Sequence, residues 1–134
     1  MMLLFTYTLV GQTAKESFSL KVTNIKNNIG HVIISIYDHE DSFPNDGLEI
    51  KKLIIPVKQE SYVITEIDLP KGEYAIALLH DENNDGECNF NMLGIPTEGY
   101  GFSQNIRPLF SIPEFEETKF EVTEETSLEI ELIH

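Results

Sequence analysis

The chain has no tryptophan, a single cysteine (Cys88), and only 9 lysines and arginines among 134 residues. One cysteine cannot close an internal disulfide, and no cysteine cluster of zinc-binding type exists. The 9 basic residues stand against 23 acidic ones, for a formal net charge of −14. A field of that sign repels phosphate backbones and anionic headgroups, so binding to nucleic acid or to acidic lipid lacks its main driving term. The surplus of carboxylates serves solubility, or draws in a cationic partner or a cation. Long apolar runs are also missing: Met2 to Val10 is too short to span a bilayer as a helix. There is no Gly-x-Ser-x-Gly elbow and no phosphate loop ending in Gly-Lys-Ser/Thr. The four histidines, His31, His39, His80 and His134, form no nucleophile–base pattern in sequence, and the chain is read as a non-enzyme.

Apolar residues make up 41% of the chain, and a chain of this length buries roughly two-thirds of its unfolded surface in one domain without needing disulfides or a structural metal. The dominant signal is alternation with a period of two, the signature of half-buried strands. Phe18, Leu20 and Val22 alternate with Ser19, Lys21 and Thr23. Val32, Ile34 and Ile36 share one face, and Ile33, Ser35 and Tyr37 the other. A β-branched run from Ile50 to Val57 carries Pro56, which suits an edge strand or a bulge. Val63, Thr65 and Ile67 follow, then Tyr74, Ile76 and Leu78, then Thr118, Phe120 and Val122, then Leu128, Ile130 and Leu132. Turn residues punctuate these runs at Asn27–Gly30, Pro44–Gly47, Pro70–Gly72 and Glu124–Thr126. Only 42–48 offers a weak helical turn. The expected fold is all-β: one antiparallel β-sandwich of about seven strands over residues 17–134.

The first fourteen residues have two readings. An apolar run followed by Gly11-Gln12-Thr13-Ala14 and then charge resembles the later part of a secretory signal, without a basic start. Phe5, Tyr7 and Leu9, alternating with Thr6 and Thr8, also suit a first strand. The favoured expectation is a truncated or cleaved signal, and hence an extracytoplasmic protein.

The segment from Asp81 to Pro113 has no strand pattern, and compact domains seldom carry so long a loop without a role. Within it, Asp81, Asn83 and Asp85 place oxygens on alternate residues ahead of Gly86, as in the opening of a calcium loop. Glu87, through its backbone carbonyl, and, if the chain folds back, Glu98 are further candidate ligands for Ca²⁺. Met92 occupies the position where an EF-hand needs its bidentate glutamate. The competing reading is a hairpin loop whose Asx side chains bond to its own backbone. Beyond the acidic stretch, Gly94, Gly99 and Gly101 permit close backbone approach. Tyr100 and Phe102 are either a stacking surface for a sugar or peptide or a packed cap on the domain. With His80, Glu98 and Ser103 they complete the candidate ligand-binding set. His80 could act as ligand or base, or be only the polar end of a strand.

Residues 72–77 (Gly-Glu-Tyr-Ala-Ile-Ala), His80-Asp81-Glu82-Asn83 and the string Leu93 to Ser103 resemble the bacterial family called domain of unknown function 2141. Ile36-Tyr37-Asp38, Ser42-Phe43-Pro44, Arg107-Pro108 and the spacing from Pro113 to Phe115 are similar to its pattern too, and the likeness runs over residues 17–133. The resemblance implies an exported bacterial protein with a transthyretin-like, immunoglobulin-like or carboxypeptidase-regulatory-like sandwich. It implies no catalytic residues. The chain is read as a non-enzymatic binding or accessory module of the bacterial envelope, its partner an envelope protein, a peptide or a carbohydrate; the alternatives are an enzyme using the loop from His80 to Ser103 and a purely structural sandwich. The Asn83-Asn84-Asp85-Gly86 run is more acidic than the Asn-Gly repeats usual in that family, which favours a cation.

Overall fold

A computed structural model describes residues 15–59, 61–87, 97–108 and 111–134. The segment read as a signal, together with Cys88, Met92 and Gly94, lies outside the described residues.

The described chain is almost entirely strand: β1 (Lys15–Ile25), β2 (His31–Tyr37), β3 (Lys51–Pro56), β4 (Ser61–Pro70), β5 (Gly72–Asp81), β6 (Tyr100–Phe102), β7 (Phe120–Val122) and β8 (Ser127–Glu131). A single turn of 3-10 helix follows β6 at Ser103–Asn105, and a four-residue helix, α1 (Phe115–Thr118), precedes β7. The strands form two open sheets. One has the order β4-β1-β8; the other runs β3-β2-β5-β6, with β7 also paired to β5.

The alternation seen in the sequence is the alternation of burial. Phe18, Leu20 and Val22 of β1, Val63 and Ile67 of β4, and Ile130 of β8 point into one apolar cluster. Val32, Ile34 and Ile36 of β2, Tyr74, Ile76 and Leu78 of β5, and Phe120 and Val122 of β7 meet them from the other sheet. Each fully buried Val, Leu or Ile contributes roughly 1.5–3 kcal/mol, so this shared cluster is the main term holding the sheets together. Pro56 ends β3, which pairs only with β2, so its missing N–H costs no ladder bond. The Pro70-Lys71-Gly72 turn passes the chain from β4 in one sheet to β5 in the other, and the Tyr74 hydroxyl ties it by donating to the Pro70 carbonyl at 2.7 Å.

The opposite face of β2 and β5 is apolar as well, and it is covered. Tyr37 and Ala75 pack with Phe43 and Phe115 in a second cluster, joined by half-buried Ala77 and Phe102. Phe43 is its hub, edge-on to Tyr37 at 5.3 Å, Phe102 at 6.1 Å and Phe115 at 6.3 Å between ring centroids.

The fold departs from expectation in four places. The described residues contain eight strands, not about seven, because Tyr100–Phe102 pairs with β5 inside the segment expected to be a loop. Three residues centred on a glycine are too short to show a period. The sheets are not wholly antiparallel either: β8 runs parallel to β1, from Ser19↔Ser127 to Thr23↔Glu131. β7 lies antiparallel to β5 in one sheet, and the next strand crosses into the other sheet beside β1. Residues 42–48 form successive turns, with a cis Phe43–Pro44 peptide, in place of a helical turn. Thr118 closes α1 instead of opening a strand, and its hydroxyl donates to the Glu114 and Phe115 carbonyls.

Candidate functional site

The polar region forms where the β1–β2 turn presses against the end of β5. His31 faces Asp81 and Val32 faces His80 across the β2–β5 ladder. Gly30 makes this contact possible. Its φ is +70°, and a Cβ there would sit 2.0 Å from the Asp81 carbonyl oxygen. The turn also bonds directly to the loop: Asn27 donates its side-chain N–H to Glu82 at 3.0 Å, and His31 Nδ1 meets the Asn84 side-chain oxygen.

Asp81, only 3% exposed, organises the loop after β5. Its carboxylate accepts the backbone N–H of Asp85 at 3.2 Å and of Gly86 at 2.8 Å. These bonds close a tight turn in which Asn84 (φ 57°) and Gly86 (φ 75°) are left-handed. Asp85 in turn accepts the Glu87 N–H at 2.9 Å, and its other oxygen accepts the Asn83 side-chain amide at 3.1 Å. These are the local Asx bonds anticipated for a hairpin loop.

The same turn delivers a second arrangement. Glu98, 5% exposed, reaches back to accept the Glu82 N–H at 2.7 Å. One carboxylate oxygen each from Asp81, Asp85 and Glu98 then lies within 4.8 Å of the others. Two oxygens bound to one Ca²⁺ at 2.3–2.6 Å lie no more than about 5 Å apart, so the spacing is that of a shared hard cation. An ionised carboxylate has about four acceptor sites, so the two backbone N–H bonds to Asp81 do not exhaust its acceptor capacity. Of the residues expected at such a site, Asp81, Asp85 and Glu98 come together. Asn83 is tied to them through Asp85, and the Glu87 side chain lies outside the trio.

His80 is fully buried on the interior face of β5, below this loop. Its Nε2 bonds the Ile29 carbonyl oxygen at 2.7 Å, which requires the proton on Nε2. Nδ1 has no hydrogen-bond partner among the described residues, and the Glu82 carboxylate lies 3.9 Å from it, beyond hydrogen-bond distance.

The remaining candidates sit apart from the carboxylates. Tyr100 and Phe102 project from β6 with ring centroids 6.1 Å apart and planes at 69°, an edge-on pair and not a flat platform. Phe102 belongs to the second apolar cluster. Gly101 faces the other way, where a Cβ would lie 3.3 Å from both the Glu131 carbonyl oxygen and the Ile130 side chain. Ser103 is completely buried; its hydroxyl accepts the Ile76 N–H at 3.0 Å and donates to the Thr118 carbonyl. The bonds from Asn27 to Glu82 and from His31 to Asn84 had no counterpart in the sequence pattern. The only signal for them was the position of Asn27 in the turn before β2.

No helix among the described residues is long and apolar enough to cross a membrane. No characterised protein and no solved structure matches the chain. A family profile described as "Uncharacterized protein conserved in bacteria (DUF2141)" matches residues 20–130, a span that runs from β1 through the carboxylate trio into β8. The chain therefore belongs to this bacterial family of uncharacterised proteins.

Proposed function

We propose that the chain is an extracytoplasmic, non-enzymatic binding module of the bacterial envelope, a transthyretin-like two-sheet sandwich whose polar end takes up Ca²⁺. The observation that carries the reading is the convergence of Asp81, Asp85 and Glu98 within 4.8 Å. Two of the three are almost fully buried, and burial of clustered carboxylates is costly unless a cation or hydrogen bonds compensate. Ca²⁺ suits an irregular oxygen cage better than Mg²⁺, which demands near-ideal octahedral geometry. Backbone N–H groups compete for the same oxygens, so affinity should fall in the range of extracellular modules, about 10⁻⁴–10⁻³ M. The non-enzymatic part is supported by Ser103, whose hydroxyl is committed to Ile76 and Thr118. The extracytoplasmic part rests on the signal-like start of the chain.

Calorimetric titration with CaCl₂ tests the reading, on wild type and on Asp85→Ala. One saturable site in wild type that is lost in the variant is the expected result. No heat in either, or equal binding in both, removes calcium from the proposal.

A further inference from the structure

A different surface carries a separate inference. Two segments, 40–44 and 112–116, cover the outer face of the β2–β5 sheet and leave an open cleft of about 490 Å³ between them. Its apolar lining is Phe43 and Pro44 from one segment, and Ile112, Pro113 and Phe115 from the other. Ile112 is 66% exposed, more than any other large apolar residue described. The polar lining is Glu40 and Asp41 on one wall and Glu114 and Glu116 on the opposite wall. Every charged residue of this described lining is an acid. Lys119, 2.8 Å from Glu116, offsets one of the four, and His39 lies 3.7 Å from Asp41.

We propose that this cleft binds an extended segment of a partner protein in which arginine alternates with aliphatic residues. Charge complementarity selects the partner: carboxylates on both walls need cations at two separated points, with apolar cover for Ile112 between them. Arginine fits better than lysine, because its planar fork pairs with carboxylates in a bidentate way. The walls contain Pro44 and Pro113, which have no N–H to offer, so side chains read the guest and strand addition does not. An exposed aliphatic residue ringed by acids is a poor seat for anionic lipid or nucleic acid. This inference goes beyond the calcium reading and does not depend on it.

The test is fluorescence anisotropy with a labelled hexapeptide of alternating leucine and arginine, in chelator so that no calcium-linked change contributes. The controls are the same peptide with citrulline for arginine, and the full chain as Ile112→Ser, as Glu40→Gln with Asp41→Asn, and as Glu124→Gln with Glu125→Gln. The arginine peptide should bind wild type at least about tenfold more tightly than the citrulline peptide, and the preference should shrink as salt rises. Ile112→Ser and the Glu40/Asp41 pair should each weaken binding severalfold, with melting temperatures unchanged because these side chains are peripheral. The Glu124/Glu125 pair should bind like wild type. Equal binding of the two peptides, or equal loss with the Glu124/Glu125 pair, would show only general attraction to an acidic protein and overturn the proposal. So would sedimentation showing that Ile112 seats a second copy of this chain.

Discussion

The Ser103 hydroxyl accepts the Ile76 N–H at 3.0 Å at the point where β5 changes partners. β6 pairs with β5 from Ala77 to Leu79, and β7 pairs with it from Gly72 to Tyr74. Between those ladders the strand edge would be left with an unsatisfied buried donor. Ser103 fills the gap and passes its own proton to the Thr118 carbonyl, so one hydroxyl joins β5, the turn after β6 and the end of α1.

Replacing Ser103 with alanine should therefore destabilise the fold by about 1–3 kcal/mol, the cost of leaving a buried N–H and carbonyl without partners. Urea unfolding measures it. A change below a few tenths of a kcal/mol would show that water or a shifted strand takes over the bonds.

Gly30 and Gly47 separate two effects of adding a methyl group. Both are left-handed, at φ 70° and 88°, but only Gly30 has a neighbour in the way, the Asp81 carbonyl. Gly47→Ala should cost about 1–2 kcal/mol from backbone strain alone. Gly30→Ala should cost clearly more, and should also weaken calcium binding by pushing the end of β5 away from the turn. Equal losses in the two variants would disprove the close contact.

Glu98→Gln keeps an oxygen for the Glu82 N–H but removes one charge from the carboxylate trio. In chelator the variant should melt at or above the wild-type temperature, because like charges no longer crowd. In about 10 mM calcium the order should reverse, since ligand at roughly ten to a hundred times the dissociation constant adds about 1.4–2.7 kcal/mol to wild type. Differential scanning calorimetry in both buffers reads the crossover. Parallel shifts in the two proteins would leave the trio as a loop brace only.

Burial raises the Tyr37 phenol above its ordinary 10.0, and the Glu49 carboxylate adds to the rise. Burial does the same for Tyr74, helped by Asp38. In both cases the folded state holds the proton more tightly than the unfolded chain. Their contribution is thus fully present below about pH 10 and is lost as pH climbs from the unfolded toward the folded value. Stability should fall from pH 10 upward. Tyr37→Phe, which gives up a 3.3 Å bond to the Asn45 carbonyl, should make that fall shallower. Denaturant midpoints across the alkaline range check the slope.

The proposed export predicts a processed amino terminus. Mass spectrometry of the protein from its native envelope should find a start between Gly11 and Ser17. A mature chain that begins at Met1 and remains in the cytosol would refute it.

Strand identity was legible because it is a local property. The period of two at Phe18-Leu20-Val22 or Tyr74-Ile76-Leu78 states which side chains turn inward, and those side chains are the core. Pro56 announced an edge for an equally local reason: an imide nitrogen cannot donate to a neighbour. The oxygens of Asp81, Asn83 and Asp85 marked the loop as a candidate for hard cations before any partner was visible.

The direction and company of those strands were not legible, because alternation reads the same forwards and backwards and names no neighbour. Only the tertiary structure laid β8 parallel to β1, and only the pairing of β6 with β5 brought Glu98 back to Asp81 and Asp85. Ser103 was a candidate ligand-binding residue beside aromatics in one dimension; in three it fills a gap between two ladders. The acids and prolines of 40–44 and 112–116 are far apart in the chain and carry no shared motif, and they became the two walls of one cleft when both segments packed on the same sheet face. Residue chemistry and local periodicity are written in the chain itself. Proximity between distant segments is decided by which apolar faces must be buried against each other.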